Sequence, residues 1–478
     1  MITKLKMIDY LQCDISSFGF QELYDLVISK NNCINCGTCL SICPRIGINQ
    51  NKPILIDYDP GCSLCFKYCP RTFFPKKLFE KEIFNENIQK DSLIGNFKKV
   101  ILAKSTDDKI LENSQNGGVV TTLLCHALNE GLIDGVIMAA KDENWEPKPF
   151  IARTTEEILS AAGSVYAMVP TLSIYKDVVD KFKIEKLAFV GLPCQIQAVR
   201  KLQIWPPLSN EYGKFKLIIG LFCSSNYSYD SLHNIVENLV RVSISEVKKF
   251  DVSKGKFIVY LKNGSSKAIP IKSANKYHYS SCKYCKDYTA EFADISVGSL
   301  GTPSDDWNSV IVRSDVGKNI FNELLTQGKI VESNKIDLLR IKNASKKKKL
   351  NITQISDKII SAIKFFNLSD ICIKTYITLL SLGEVDLQML SEAMELKPYL
   401  INDAVKTLKE RGWISLSNNL CRPISPSEIV KKEIDYYLTN FNNHIKSIKS
   451  EALEDLKNIF IQNNLMYLKD LESINTFF

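Results

Sequence analysis

The spacing of apolar residues changes character along the chain. Between about residues 96 and 340, short apolar runs alternate with helical stretches. Val100 to Ala103, Gly135 to Ala139, Leu187 to Val190, Leu217 to Phe222, Ile295 to Val297 and Val310 to Val312 read as buried strands. A short continuous apolar run bounded by turn residues suits a strand covered on both faces. Gly117-Gly118 opens a helix running to about Glu130, with Gly131 as its stop, and Val316 to Gln327 is a second helix stopped by Gly328. Phe257 to Leu261, Asn263-Gly264 and Lys267 to Ile271 read as a hairpin, Asn-Gly being a favoured tight turn. Strands alternating with helices predict an α/β core.

Past this block the period becomes helical. Ile373, Ile377 and Leu380 share one helix face; so do Leu387, Leu390 and Met394, and Ile401, Val405 and Leu408. These short helices lead into Gly412-Trp413-Ile414, a turn at Asn418-Asn419 and Pro423, the layout of a helix-turn-helix with a small β-wing. Residues 427–470 read as one or two long polar helices, and residues 1–30 as a short helical lead-in. Residues 31–75 are rich in cysteine, proline and glycine and too few to hold a core of their own.

The chain has 478 residues, 45% hydrophobic and 24% charged, an ordinary composition for a soluble protein of several domains. No apolar run approaches the length of a membrane span, and Met1 to Tyr10 lacks the layout of a secretory signal. A cytoplasmic location is expected. The net charge of +8 is mild. Its one dense patch, Lys346 to Lys349, lies in Lys342 to Asn351 and reads as a solvated linker.

Fifteen cysteines change the picture. Cys33, Cys36, Cys39 and Cys43-Pro44 form the C-x2-C-x2-C-x3-C-P run of a bacterial ferredoxin, in which three thiolates grip one cubane and the fourth serves its partner. Zinc sites use pairs of CxxC instead. Cys62, Cys65 and Cys69-Pro70 repeat the last three positions, with Asp59 at the first. Ferredoxin cross-ligation then groups Cys33, Cys36, Cys39 and Cys69 around one cluster. The other cluster has Cys43, Cys62, Cys65 and a fourth ligand for which Asp59 is the candidate, giving 4Fe-4S or 3Fe-4S. Cys194 and Cys223 each follow a strand, and Cys282 and Cys285 form a CxxC. Spacing alone leaves these four open between one 4Fe-4S cluster, zinc and unrelated buried thiols. Cys13, Cys125, Cys372 and Cys421 show no ligand pattern and read as small buried hydrophobes.

The block from about residue 96 to 330 resembles the beta subunit of coenzyme F420-reducing hydrogenase and its dehydrogenase relatives. The likeness rests on Gly117 to Thr121, Gly131 to Gly135, Leu187 to Arg200, Ile219 to Cys223, Gly255 to Tyr260 and Cys282 to Gly298. It implies an α/β fold carrying FAD and one 4Fe-4S cluster, with F420 as substrate, and Cys194, Cys223, Cys282 and Cys285 match the family's ligand positions. The chain departs from many relatives at Leu192, where they have threonine, and at Ser164 to Val169, which lacks a basic residue. Residues 370–430 resemble the winged-helix domain of TrmB-like archaeal regulators, through Tyr376 to Glu384, Leu387 to Leu396, Ala404 to Ile414 and Arg422 to Ile429.

The expected fold is therefore an α/β core with an N-terminal bacterial ferredoxin-like segment and a C-terminal all-α winged helix-turn-helix region. The expected divisions are 1–95, 96–341, a linker and helix at 342–369, the winged region at 370–430 and C-terminal helices at 431–478. Asn116, Gly117, Gly118, Val119 and Ser299 are flavin candidates: a glycine pair at a helix start offers N–H donors to a phosphate, and Ser299 lies in a small-residue loop after a strand. A plain cap and a plain turn are the alternatives. Asp287, Glu291 and Asp294 read as structural ion pairs rather than cluster-tuning groups, and His126, His233, His278 and His444 form no motif. No catalytic acid or base is nominated. The functional expectation is exchange of electrons between F420 and ferredoxin or a partner enzyme, in either direction. The alternative is a redox-responsive DNA-binding regulator, with Lys397, Tyr399, Asn402 and Lys406 on or just before its reading helix; homodimerisation or docking through the winged helix is the further partner expectation.

Overall fold

The computed structural model describes residues 18–57, 61–84, 88–205, 208, 209, 213–349, 357–394, 396–417, 419–448 and 452–459. Cys13 and Asp59 lie outside them. The chain divides into two compact units, Met1–Thr353 and Gln354–Phe478.

The larger unit opens with a small antiparallel hairpin, β1 (Ile46–Asn49) and β2 (Lys52–Leu55), inside the cysteine-rich segment. Its main sheet has eight strands: β3 (Lys99–Ser105), β4 (Gly135–Lys141), β5 (Pro147–Ala152), β6 (Leu187–Gly191), β7 (Phe215–Leu221), β11 (Ile295–Gly298), β12 (Asn308–Val312) and β13 (Ile330–Ser333). The spatial order is β13-β3-β12-β11-β7-β6-β4-β5. The middle strands β4, β6, β7 and β11 run parallel, and the flanking pairs are antiparallel. A separate sheet holds β8 (Val247–Ser253), β9 (Lys256–Leu261) and β10 (Ser266–Pro270). The Asn263-Gly264 turn between β9 and β10 needs glycine, since Gly264 has φ +85.

The sheet is covered on both faces because its strands are apolar at both parities. In β6, Leu187 and Phe189 join one core with the helix Pro193–Ile204, whereas Ala188 and Val190 join another with the helix Val119–Asn129. The first of these cores also contains Ile34, Cys36, Ile42, Tyr68 and Phe79. The cysteine-rich segment therefore completes a face of the sheet instead of forming a body of its own. Tyr68 Oη donates to Trp205 O at 2.6 Å and accepts from Leu208 N at 2.7 Å. Leu172 N donates to Cys36 O at 2.9 Å. Gly37, with φ +87, packs so closely on the next element that a Cβ would stand 2.4 Å from Ser173 N.

The basic run is not a solvated linker. Lys346 to Lys349 are the last turn of the helix Leu338–Lys349, which crosses the division expected at residue 341. Ile341 and Ser345 of this helix are buried, and so are Lys348 and Lys349. Lys342 pairs with Asp91 at 2.6 Å, Lys348 Nζ donates to Cys223 O, and Lys349 pairs with Glu291.

The smaller unit contains the helices Asp357–Lys364, Asp370–Leu382, Leu387–Met394, Pro398–Glu410 and Pro426–Ser447. It is not all-helical: β14 (Val385–Asp386), β15 (Ile414–Ser417) and β16 (Leu420–Pro423) form a sheet of order β14-β16-β15. Its core gathers Ile373, Ile377, Leu390, Ile401, Val405, Leu408 and Trp413. Leu379, rather than the expected Leu380, is the buried leucine of its helix. Glu433 fixes the final helix by accepting from Trp413 Nε1 at 2.7 Å and pairing with Arg411 at 2.6 Å.

Glu291 generates a pH prediction. Burial pushes its carboxyl up, but Lys349 and Lys76 outweigh burial and hold it at about 2 against an ordinary 4.5. A depressed carboxylate stabilises the fold above its unfolded pKa and loses that contribution as pH falls through the folded one. Stability should therefore decline between about pH 4.5 and pH 2, by on the order of 3 kcal/mol. Glu291→Gln should be less stable at neutral pH and should flatten this limb in pH-dependent thermal melts. An unchanged acid limb in that variant would show that Glu291 does not carry it.

Candidate iron–sulfur and flavin sites

Three groups of thiols converge in the larger unit. Cys33, Cys36, Cys39 and Cys69 line one cavity of about 420 Å³, together with Leu23, Val27, Ile28 and Thr38 among others. Cys33 and Cys36 project from a loop shaped by Asn35 (φ 48) and Gly37 (φ 87), Cys39 from the first turn of the helix Thr38–Ile42, and Cys69 from the end of the short helix Leu64–Tyr68. Backbone amides already point at sulfur: Asn35 N lies 3.4 Å from Cys33 Sγ, and Arg71 N lies 3.4 Å from Cys69 Sγ. Burial pushes the Cys33 thiol up to about 12 and Cys69 to about 11, and it drives Cys39 well above its ordinary range. Their mutual repulsion adds to each.

Cys65 is pushed up to about 12 by burial, then by Cys43 and Cys62, which face it. These three are the cysteines expected for the second ferredoxin set. Its expected fourth member, Asp59, falls outside the described residues.

Cys194, Cys223, Cys282 and Cys285 line a second cavity of about 280 Å³. Cys194 stands in the first turn of the helix Pro193–Ile204, directly past β6, and Cys223 lies just past β7. Parallel neighbours bring these two loops to the same sheet end. The CxxC arrives differently, since it precedes β11. The segment after it runs back along β7, with Cys223 N donating to Tyr288 O at 2.9 Å and Asp294 N donating to Ile218 O at 2.7 Å. Burial pushes Cys223 up to about 12, and Cys194 well above its ordinary value. Lys348 opposes that rise at Cys223, and Arg71 does so at Cys194. Both cations line the cavity.

All of these cysteines are unpaired as disulfides. Buried, mutually repelling thiols around an open space suit a polynuclear cationic group, which would offset the negative charge that burial disfavours. The residues present thus fit clusters at the first and third sets, and Cys43, Cys62 and Cys65 would supply three ligands to another.

The flavin candidates fall in two adjoining loops. Gly117 packs on the chain leading into β12, where a Cβ would stand 2.9 Å from Asn308 N, and Asn116 Nδ2 donates to Asp305 O at 2.9 Å. Gly118 takes φ +71 as the N-cap, and Val119 N donates to Asn308 Oδ1 at 3.2 Å. Close packing and capping therefore account for the glycine pair, and the Val119 amide is already engaged. Ser299 is exposed, and its carbonyl accepts from Thr302 Oγ1 at 2.8 Å.

Glu291 and Asp294 form ion pairs, Asp294 with Arg200 at 2.9 Å. Asp287 Oδ2 accepts from Glu291 N, and its Oδ1 is buried without a hydrogen-bond partner among the described residues. His278 bonds Ser225 Oγ at 2.7 Å and is pushed down to about 4 by burial and by Lys348. His126 is buried and pairs with Glu323 at 3.1 Å. Cys372 and Cys421 are buried as expected, and Cys125 is half-buried. Sequence reasoning missed Arg71, Lys201 and Lys348. Lys201 is fully buried beside Cys69, donating to Cys69 O at 2.7 Å and Phe73 O at 2.8 Å, and burial pushes it down to about 7. Only Arg71 left a trace, as a cation directly after a Cys-Pro pair.

If the third set holds a cluster, Cys282→Ala should lower iron content by about four atoms per chain and leave the other sets loaded. Iron and acid-labile sulfide assays check this, and unchanged iron would exclude Cys282 as a ligand.

Residues 100–176 match the N-terminal part, and residues 184–337 the C terminus, of the family described as Coenzyme F420 hydrogenase/dehydrogenase, beta subunit. The Coenzyme F420 hydrogenase subunit beta of Methanosarcina barkeri is 41% identical over 258 residues, covering 52% of this chain and 88% of that protein. The Coenzyme F420-dependent sulfite reductase of Methanocaldococcus jannaschii is 34% identical over 338 residues, which are 67% of this chain and 50% of the reductase. A chain in the solved F420-reducing [NiFe] hydrogenase complex from Methanosarcina barkeri is similar at a TM-score of 0.53 and 38% identity, covering 54% of this chain and 91% of that one. With likeness of this extent at the level of sequence and backbone, the chain belongs to the coenzyme F420 hydrogenase/dehydrogenase beta subunit family.

Proposed function

We propose that this protein is a coenzyme F420-dependent oxidoreductase that uses FAD and iron–sulfur clusters to exchange electrons between F420 and ferredoxin or a partner redox enzyme. Bound FAD would supply the conversion between a two-electron hydride carrier and one-electron clusters. Cys194, Cys223, Cys282 and Cys285 would hold the 4Fe-4S cluster of the α/β core. Cys33, Cys36, Cys39 and Cys69 would hold a second, and Cys43, Cys62 and Cys65 a third, 4Fe-4S or 3Fe-4S, with Asp59 as the candidate fourth ligand. FAD would lie near Asn116 to Val119 and Ser299, with Val119 N kept by Asn308 Oδ1 and so not a free phosphate donor.

The observation that carries this reading is the continuity of the thiol sets. Cys65 adjoins Cys39 and Cys69, and Ile34 lines both of the cavities described above. Sets arranged in sequence, walled by apolar side chains, suit an electron path more than isolated structural sites would. Among the described residues no helix is long and apolar enough to cross a membrane. Reduced F420 added anaerobically to protein of known iron, sulfide and flavin content should bleach the flavin band and then the broad cluster absorbance. Viologen should be reduced in the steady state. Bleaching by dithionite but not by reduced F420 would sink the F420 assignment.

One observation favours a second reading for the smaller unit, a winged helix that binds DNA: Lys397, Tyr399, Asn402 and Lys406 are all exposed along or beside the helix Pro398–Glu410. Asp403 and Glu410 share its exposed surface, so docking to a protein competes with DNA. A gel-shift assay with genomic fragments separates the two. Retardation that weakens with salt and is lost in Lys397→Ala/Lys406→Ala would establish DNA binding, and no retardation at low salt would leave docking.

A further inference from the structure

Arg71 faces two thiol sets at once. It follows Cys69-Pro70, and its backbone N–H donates to Cys69 Sγ at 3.4 Å. Its side chain turns the other way and lines the cavity of Cys194, Cys223, Cys282 and Cys285. Its charge pulls down the thiols of Cys33 and Cys36 on one side and of Cys194 and Cys282 on the other. The protein gives the guanidinium little else to hold. Nη2 reaches Ser281 O at a long 3.4 Å, and Nε is buried with no hydrogen-bond partner among the described residues. Ser281 Oγ, on the same wall, is likewise buried and unmatched. Leaving a buried charged donor unmatched costs at least as much as a lost hydrogen bond, so a purely structural role explains this arginine poorly. Acceptors inside the cavity explain it well.

Building on the cluster reading above, we propose that Arg71 is a cation shared by the Cys33/Cys36/Cys39/Cys69 site and the Cys194/Cys223/Cys282/Cys285 site, raising the reduction potentials of the groups held at both. Each one-electron reduction adds a negative charge to a thiolate-bound group, and a fixed positive charge nearby stabilises the reduced form. One charge set between two sites moves both potentials in the same direction. It therefore preserves the difference between them while lifting the pair. The electron lost by one site is the electron gained by the other, with no bond or proton moved. Arginine stays charged at any working pH, so the effect does not depend on pH. Lys348 provides the internal contrast. It acts on Cys194, Cys223 and Cys285 and donates to Cys223 O, so its influence belongs to the core site.

The test is a redox titration of the full-length loaded protein with dithionite and mediators, following each cluster's EPR signal, without F420. Arg71→Gln, with iron and sulfide unchanged, should lower both potentials. The expected size is at least a tenfold change in the oxidised-to-reduced ratio at fixed potential, about 59 mV for a one-electron couple. Lys348→Met should lower the core site alone. A shift at only one site in Arg71→Gln, or at neither, overturns the proposal. If Arg71→Gln sheds iron, Arg71→Met, which removes the charge and keeps the bulk, decides: both potentials lowered together support the shared role, and one alone or neither overturns it. Protein devoid of iron and sulfide at both sites would overturn the cluster reading as well, whereas failure with reduced F420 bears only on the substrate.

Discussion

Burying so many thiols together is the constraint on which the larger unit depends. Thiols removed from water resist ionisation, and Cys39 and Cys194 show this most strongly. They would become ligands only where positive charge offsets the burial. The protein brings its own share of that charge inside, and two of the cations are anchored to backbone oxygen. Lys201 is held by Cys69 O and Phe73 O, and Lys348 by Cys223 O. These anchors come from distant parts of the chain, so the electrostatics of the sites also fasten the fold.

The sheet serves the same end. Parallel β6 and β7 deliver Cys194 and Cys223 to one edge, and the return segment from Cys285 to Asp294 brings the CxxC to meet them. Arg313 secures that segment from within. It is fully buried and donates to Thr289 O, Ile94 O and Asn96 O, so the loop is held from behind as well as by its cysteines.

Much of this was legible in the sequence, for identifiable reasons. Strands β3, β4, β6, β7, β11 and β12 are continuous apolar runs, the mark of a doubly covered sheet. Others escaped notice, β5, β8 and β13 among them. β5 carries Pro147 and Pro149 and is tolerated because it is an edge strand. β8 breaks its alternation with a bulge between Val247 and Lys249, and β13 is short and half exposed. The two ferredoxin-type sets announced themselves by spacing, since local motifs fix local geometry, whereas Cys194, Cys223, Cys282 and Cys285 were grouped only by the family resemblance. Lys348 could not be found that way. A lysine run has the composition of a solvated linker, and only the distant Cys223 and Glu291 make two of its members buried ligands of the interior. Leu380 failed for a milder reason: a stripe read one position off still keeps the helical period.

Tyr68 and Phe79 fill the same core as Phe189 and Trp205. A segment that completes another element's interior is no detachable cartridge. Metal delivered late would have to part that interior, along with the hydrogen bonds that Trp205 and Lys201 make to it. If the Cys33/Cys36/Cys39/Cys69 set holds a cluster, its loading would be tied to the closing of the sheet during biogenesis. Iron-starved cells should accumulate a partly folded chain, open to proteases, rather than an intact apoprotein awaiting repair.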